Sequence, residues 1–292
     1  MTKVRNRLVS AGADPIEKKP LFHFLPGSVA FSVATMGCNF RCRFCQNWRI
    51  SQHPRDAGST GGRHVPPEEA VAAALDSGAA SIAYTYTEPT IFFETCEDVG
   101  ILARERGLRN VFVTNGYMTP EAVRRAAAFL DAANVDLKGF DDARHRRTCG
   151  AALKGVLEGL DALLEAGVWV EVTTLVVPGF NDSDAELGAI ARHLAGLGRD
   201  IPWHVSRFHP DYRLGDVPPT PSRTIERACA LGREAGLRYV YPGNLPGHDG
   251  ESTRCPGCAT MVLERSGFRL VRASLREGRC AACGTAVAGV FG

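Results

Sequence analysis

The stretch Ser28-Val29-Ala30-Phe31-Ser32-Val33-Ala34-Thr35-Met36-Gly37-Cys38-Asn39-Phe40-Arg41-Cys42-Arg43-Phe44-Cys45 begins as a strand and ends as a ligand loop. Ser28 to Ala34 is β-rich and apolar, which predicts a buried strand. The three thiols that follow sit at spacings of four and three residues. They can reach one inorganic cluster from a single loop, whereas a [4Fe–4S] cube needs four ligands. One iron is then left without a protein ligand, and an open iron can bind a small molecule.

Working outward, further strands are predicted at Ser81–Tyr86, Arg109–Thr114, Asn134–Lys138, Trp169–Val177 and Trp203–Phe208, with a short seventh at Arg238–Tyr241. Helical punctuation lies between them. Pro66–Ser77 opens on prolines and acids and closes before Gly78, Thr119-Pro120-Glu121 opens another helix, and Ser183-Asp184-Ala185-Glu186 reads as a capping box. Repeated βα units imply a parallel sheet. Six units predict an α/β fold of the partial (β/α)6 TIM-like barrel type rather than a doubly wound sheet, with chemistry at the carboxyl ends of the strands in either case.

Four more cysteines, Cys255, Cys258, Cys280 and Cys283, form two Cys-x-x-Cys pairs after a composition break at Leu245-Pro246-Gly247-His248. Four thiolates close a tetrahedral site, so residues 250–292 read as a small zinc-ribbon or rubredoxin-like module holding zinc, with iron as the alternative. The expected organisation is an N-terminal extension over 1–27, a barrel over 28–245 and this module. Cys96, Cys149 and Cys229 carry no assigned chemistry; Cys96 and Cys229 fall in helical segments, where a small thiol suits a core.

The 292 residues are 45% hydrophobic and 23% charged, with 34 basic against 32 acidic side chains, a net charge of +2. These are globular values without the basic excess of a nucleic-acid-binding protein. The amino terminus lacks an apolar signal core, and no run of about 18 apolar residues spans a bilayer. A soluble cytoplasmic protein without membrane partners is expected, its clustered cysteines serving metal rather than disulfides.

Cys-x3-Cys-x2-Cys with Phe44 before the last cysteine resembles the signature of the radical SAM superfamily. That resemblance implies that Cys38, Cys42 and Cys45 hold a [4Fe–4S] cluster whose open iron is chelated by the amino and carboxylate groups of S-adenosylmethionine. The reduced cluster then cleaves the sulfonium, giving a 5′-deoxyadenosyl radical that abstracts hydrogen from a substrate. Other strand ends agree. Thr85-Tyr86-Thr87-Glu88-Pro89 resembles the family's Gly-Gly-Glu-Pro segment with both glycines replaced, and implies methionine-binding roles for Thr85, Thr87 and Glu88. Val113-Thr114-Asn115-Gly116 and Val135-Asp136-Leu137-Lys138 resemble segments of glycyl-radical-enzyme activases, with Val113 where those have aspartate. They imply that Thr114, Asn115, Asp136 and Lys138 contact the cofactor, Asp136 and Lys138 from one face of their strand. Val177-Pro178-Gly179-Phe180 resembles a turn that packs on the adenine, and His209 falls where an activase histidine approaches the cofactor.

Asp14 to Gly27, Gly37-Cys38-Asn39-Phe40 and Cys45-Gln46-Asn47-Trp48, together with the terminal cysteines, are similar to the AmmeMemoRadiSam-system radical SAM enzymes, relatives of pyruvate formate-lyase activating enzymes. The likeness implies Memo-like and AMMECR-type partners and a low-potential electron donor such as flavodoxin or ferredoxin. Two other functions stay open on the sequence: an activating enzyme for a glycyl radical enzyme, and a non-catalytic iron–sulfur or zinc protein serving electron transfer or as a scaffold.

Overall fold

A computed structural model describes residues 2–245 and 250–292. Pro246–His248, which carry most of the expected boundary, lie outside the described residues. The main sheet has eight strands: β1 (Ser10–Pro15), β2 (Val29–Ala34), β3 (Ser81–Tyr84), β4 (Arg109–Thr114), β5 (Ala132–Asp136), β6 (Trp169–Val176), β7 (Trp203–Arg207) and β8 (Val240–Gly243). Their spatial order follows the chain. β1 pairs antiparallel with β2, and every other neighbouring pair is parallel. β1 and β8 do not pair with each other, so the barrel is open.

Parallel strands covered on both faces read as continuous apolar runs, and all four residues of β3 are buried. The covering helices include α1 (Pro67–Asp76), α2 (Phe93–Glu105), α3 (Pro120–Ala126), α4 (Asp142–Cys149), α5 (Leu153–Glu165), α6 (Asp184–Leu197) and α7 (Ser222–Glu234). Val156, Leu160 and Leu163 of α5 and Leu187, Ile190 and Leu194 of α6 recur at helical spacing and are fully buried.

Two details differ from the sequence reading. The capping box at Ser183 is half formed: Ser183 Oγ accepts from Glu186 N at 3.3 Å, but the Glu186 carboxylate accepts from the Phe140 and Asp141 amides instead. Those amides follow β5, and a carboxylate satisfying two of them gains more than one returning to its own cap. Second, the amino-terminal extension expected over 1–27 supplies β1 of the main sheet and then returns beneath it. Ile16, Leu21 and Phe24 pack on Ala30, Ala83, Val111 and Ala132. The Phe22 and His23 amides donate to the buried Glu171 carboxylate at 3.0 and 2.7 Å, and His204 Nε2 lies 2.7 Å from the same carboxylate.

The same segment holds the terminal strands Thr253–Arg254, Met261–Ser266 and Arg269–Ala273, which form an antiparallel sheet. Phe24 bridges Val290, the His23 ring lies 2.6 Å from both Ala288 O and Tyr241 Oη, and the Arg265 guanidinium sits over Phe22 at 4.3 Å. Among the described residues, no helix is long and apolar enough to cross a membrane.

Candidate functional site

A cavity of about 370 Å³ opens where the strands end in their carboxyl direction. It is lined by the three loop thiols Cys38, Cys42 and Cys45, by Phe44, and by Thr85, Thr87, Glu88, Thr114, Asn115, Asp136 and Lys138. Three strand ends and the cysteine loop thus bring these eleven predicted residues to one space. His209 is not among its walls: the ring is exposed and meets the Gln46 side chain at 2.8 Å.

Strand β2 delivers the loop, and alternation sorts it. Cys42 and Phe44 are buried, whereas Arg41 and Arg43 are exposed. The Arg41 and Arg43 amides donate to the carbonyls of Cys149 and Thr148 at 2.7 and 3.0 Å, so the loop lies along the end of α4. Cys149, unassigned in the sequence, is therefore a buried neighbour of the loop. From the other side Arg55 donates to the carbonyls of Phe40 and Cys38 at 2.7 and 2.8 Å. Cys38 Sγ accepts from the Phe40 amide at 3.4 Å and from Asn115 Nδ2 at 3.8 Å, and Cys45 Sγ lies 3.1 Å from Ser51 Oγ. Burial pushes the Cys38 and Cys45 thiols up, and the Cys149 thiol with burial does the same to Cys42. Such thiols become thiolates only when a ligand brings compensating positive charge.

Glu88 is the hub of the second wall. One carboxylate oxygen accepts from Thr114 Oγ1 at 2.8 Å and Thr90 Oγ1 at 2.7 Å; the other accepts from the Asn115 amide at 2.8 Å. Burial raises its pKa while these bonds oppose the rise. Glu88 therefore ties the end of β3 to the end of β4 and still borders the cavity.

Tyr86 is a cavity residue that the sequence reading missed. Its φ of +65° is a conformation that favours glycine, and it stands where the resembling segment has one. The residue is held there from the antiparallel edge strand β1: Tyr86 Oη donates to Asp14 at 2.6 Å, and Asp14 also takes Lys18 and Lys19, each at 2.7 Å. Asking what backbone the missing glycine required would have found it.

On the third wall, Asp136 and Lys138 pair at 2.9 Å. Burial would lower Lys138, but Asp136 and Cys42 outweigh it and raise it. Asn181 donates to the carbonyls of Lys138 and Leu175 at 2.8 and 2.9 Å, which locks the turns after β5 and β6 together, and Phe180 packs on Phe44 at 5.7 Å. Thr173 Oγ1, on β6, is buried without a partner at the cavity wall. Ser206, Asn244 and, from the terminal module, Phe268 complete the rim.

In that module the sulfurs of Cys255, Cys258, Cys280 and Cys283 all lie within 4.8 Å of one another, among them Cys255–Cys283 at 3.5 Å and Cys258–Cys280 at 3.8 Å. The two knuckles repeat each other. The Ala259 amide donates to Cys255 O at 2.9 Å as Gly284 does to Cys280 O at 2.8 Å, and both residues have positive φ, +60° and +74°. Hydrogen bonding to Thr285 pulls the Cys283 thiol down to about 6, and Thr260 lowers Cys258 likewise. Four convergent thiols of this kind form a metal site.

The profile of the Radical SAM superfamily matches residues 32–189, more than half of the 292-residue chain, including the cysteine loop and four of the strand ends. The chain belongs to the radical SAM superfamily. Members are enzymes, and the family implies a [4Fe–4S] cluster and S-adenosylmethionine. An uncharacterized protein of Methanocaldococcus jannaschii is 47% identical over 281 residues, covering 95% of this chain and 83% of its own. The pyruvate formate-lyase 1-activating enzyme of Escherichia coli K12 is 23% identical over 236 residues, 74% of this chain and 93% of its own. Among solved structures, a radical SAM methyltransferase from Sphaerobacter thermophilus matches with a TM-score of 0.57 at 21% identity, over 75% of this chain and 67% of its own, a likeness of fold. The superfamily's parallel, open sheet is the one found here.

Proposed function

We propose that this radical SAM enzyme holds its [4Fe–4S] cluster on Cys38, Cys42 and Cys45 and binds S-adenosylmethionine across the strand ends to abstract hydrogen from a substrate. The observation that carries the reading is the convergence of three thiols and three polar strand ends on one cavity. The donor set fits. Three thiols from one loop leave one cluster iron to a non-protein ligand, and the orphaned Thr173 hydroxyl is a buried polar atom aimed at the same space. When bound, the cluster and S-adenosylmethionine supply the 5′-deoxyadenosyl radical chemistry of the family.

The chain's own residues do the rest. Glu88 positions the Asn115 amide and Thr114 hydroxyl, and its second oxygen, which takes only the Asn115 amide, has a lone pair left for an ammonium. Thr85 and Thr87 shape the adjoining backbone, with Thr87 Oγ1 donating to Thr35 O at 2.9 Å. Asp136 offers an acceptor suited to ribose hydroxyls and Lys138 a cation suited to a carboxylate. Phe44, backed by Phe180, gives the cavity an apolar wall that limits water. His209 reaches the cofactor only through Gln46.

The terminal thiols suit zinc, because tetrahedral Zn–S bonds of about 2.3 Å place sulfurs about 3.8 Å apart. The reading also includes a reducing cytoplasmic setting, a low-potential protein reductant, and Memo-like and AMMECR-type partners. The partners rest on the likeness of the Asp14–Gly27 stretch, which meets the cavity through Lys18 and Pro20. A glycyl radical enzyme as substrate is the second reading, favoured by the near full-length match to the E. coli activating enzyme. Anaerobically reconstituted protein given reductant and S-adenosylmethionine should release 5′-deoxyadenosine, and Cys42→Ala should not. Equal release from both would sink the proposal.

A further inference from the structure

The outer face of the cysteine loop carries a feature that the cavity does not use. Three chain segments lie side by side there, joined by backbone bonds: Arg213 N donates to Arg43 O at 3.1 Å, Arg43 N to Thr148 O at 3.0 Å and Arg41 N to Cys149 O at 2.7 Å. Each segment brings arginine to the surface. Arg41, Arg43, Arg147 and Arg213 are all exposed, and none lines the cavity. Among the described residues, the Arg41, Arg43 and Arg147 guanidiniums make no hydrogen bond or ion pair, and Arg213 reaches Asp56 only at 4.0 Å. Asp142 is paired with Arg146 at 2.7 Å, and Asp211, which accepts only from the neutral Trp48 indole at 3.0 Å and Tyr212 amide at 2.7 Å, leaves the four arginines in excess over Asp56 and Asp211. In a chain whose net charge is only +2, this is a local excess of positive charge on the outer side of the cysteine loop.

We infer that this arginine collar is the docking surface for an acidic one-electron carrier protein. The inference rests on the proposed cluster site. Alternation supplies the logic: Cys42 and Phe44 face the cavity and Arg41 and Arg43 face away, so a carrier seated on the collar stands one loop thickness from the cluster without entering the substrate's space. Unpaired surface cations steer a protein of opposite charge and set its orientation, and such steering raises association rates by roughly 10- to 1000-fold at low salt. Transfer moves one electron: the carrier is oxidised by one, the cluster is reduced by one, and no proton or group changes hands.

The test uses the full-length reconstituted enzyme and a flavodoxin of strongly negative net charge. Calorimetric titration across a salt series should give a dissociation constant at least about 10-fold weaker for Arg41→Glu/Arg43→Glu, and weaker also for Arg147→Glu, which lies off the loop. Raising salt should erase the difference as the Debye length shrinks from about 10 Å at 0.1 M to about 3 Å at 1 M. In Arg147→Glu, flavodoxin-driven cleavage of S-adenosylmethionine should fall in parallel, while cleavage driven by photoreduced deazariboflavin, a small uncharged reductant, should not. Unchanged binding in both variants, or equal loss with both reductants in Arg147→Glu, overturns the collar. So does unchanged flavodoxin-driven cleavage with lost modification of a protein substrate, which would assign the collar to that substrate. If the wild-type enzyme cleaves nothing with deazariboflavin, the cluster reading fails, and the titrations still decide the collar.

Discussion

The loop from Cys38 to Cys45 and the module carrying Cys255, Cys258, Cys280 and Cys283 both present thiols, but they surround them differently. The loop's sulfurs border a cavity and are spread among polar neighbours, Ser51 at 3.1 Å from Cys45 and Asn115 at 3.8 Å from Cys38. The module's four sulfurs face one another within 4.8 Å, and its knuckle amides close around them. Three thiols with a vacant direction suit chemistry, and four that saturate a tetrahedron suit structure. The electrostatics divide less cleanly. Burial raises the loop thiols and Cys255 alike, whereas threonine hydrogen bonds lower the exposed Cys258 and Cys283, so the module alone has thiols already prepared for a cation.

The largest expected effect breaks this comparison outright. Cys42→Ala should reduce 5′-deoxyadenosine formation to background while the melting temperature stays near wild type. Cys255→Ala should lose the terminal metal and on the order of 3–5 kcal/mol of stability, with cleavage per bound cluster retained. Iron and zinc analysis with calorimetry measures both. A module variant that keeps its stability but loses cleavage would move the four-cysteine site from structure to catalysis.

The next test concerns the seam that joins the module to the barrel. Arg265 is fully buried beside Glu17 at 3.6 Å and donates to Thr253 Oγ1 at 2.9 Å and to Glu251 O at 3.1 Å. Removing one member of a buried pair leaves the other uncompensated. Arg265→Met should cost about 3 kcal/mol in denaturant unfolding, with the cleavage rate of the folded fraction unchanged. Loss of cleavage at unchanged stability would show that the module acts on the site, by way of Phe268 at the rim.

His23 gives that seam a pH dependence. Burial lowers its pKa from 6.5 to about 4. Between these values the unfolded chain binds the proton that the folded chain refuses, so stability is fully present above about 6.5 and is lost as pH falls toward 4. Going from pH 7 to pH 5 should remove about 2 kcal/mol. His23→Gln should flatten this part of the profile, and an unchanged slope would place the titration elsewhere.

How much of this was legible in the sequence divides along the same line. The strand ends were legible because each follows an apolar β-rich run, and order along the chain became order across the sheet. Local spacing announced both cysteine sets. Residues 10–25 were not legible, because their role is tertiary: Asp14 acts through Tyr86 across 72 positions, and the Phe22 and His23 amides need Glu171, 149 and 148 positions away. Glu186 misled for a related reason. A capping box is a local rule, and two amides beyond β5 overrode it. Cys149 had no assigned chemistry in the sequence, because nothing near it there points to the loop against which it lies.

The smallest effects sharpen the comparison most finely, at one backbone position in each region. Tyr86 and Ala259 both hold positive φ, +65° and +60°, where a side chain costs roughly 1–2 kcal/mol relative to glycine. Gly284, at +74°, occupies the second knuckle's equivalent of Ala259 and shows the unstrained solution. Ala259→Gly should therefore stabilise the module by up to about 1 kcal/mol, with no change in cleavage. Tyr86→Gly relieves the same strain but gives up the hydroxyl bond to Asp14, worth about 1.5–3 kcal/mol to a charged acceptor. The net should be a loss of about 1 kcal/mol or less. Its signature is a KM for S-adenosylmethionine raised more than kcat is lowered, since the strained residue shapes the cavity wall rather than the reacting bond. Tyr86→Val separates the two contributions. It loses the same hydroxyl while placing a β-branched side chain at positive φ, so it should be less stable than Tyr86→Gly by about 1–2 kcal/mol. Equal stability of the valine and glycine variants would mean that the hydroxyl bond, and not the backbone, is what this position requires.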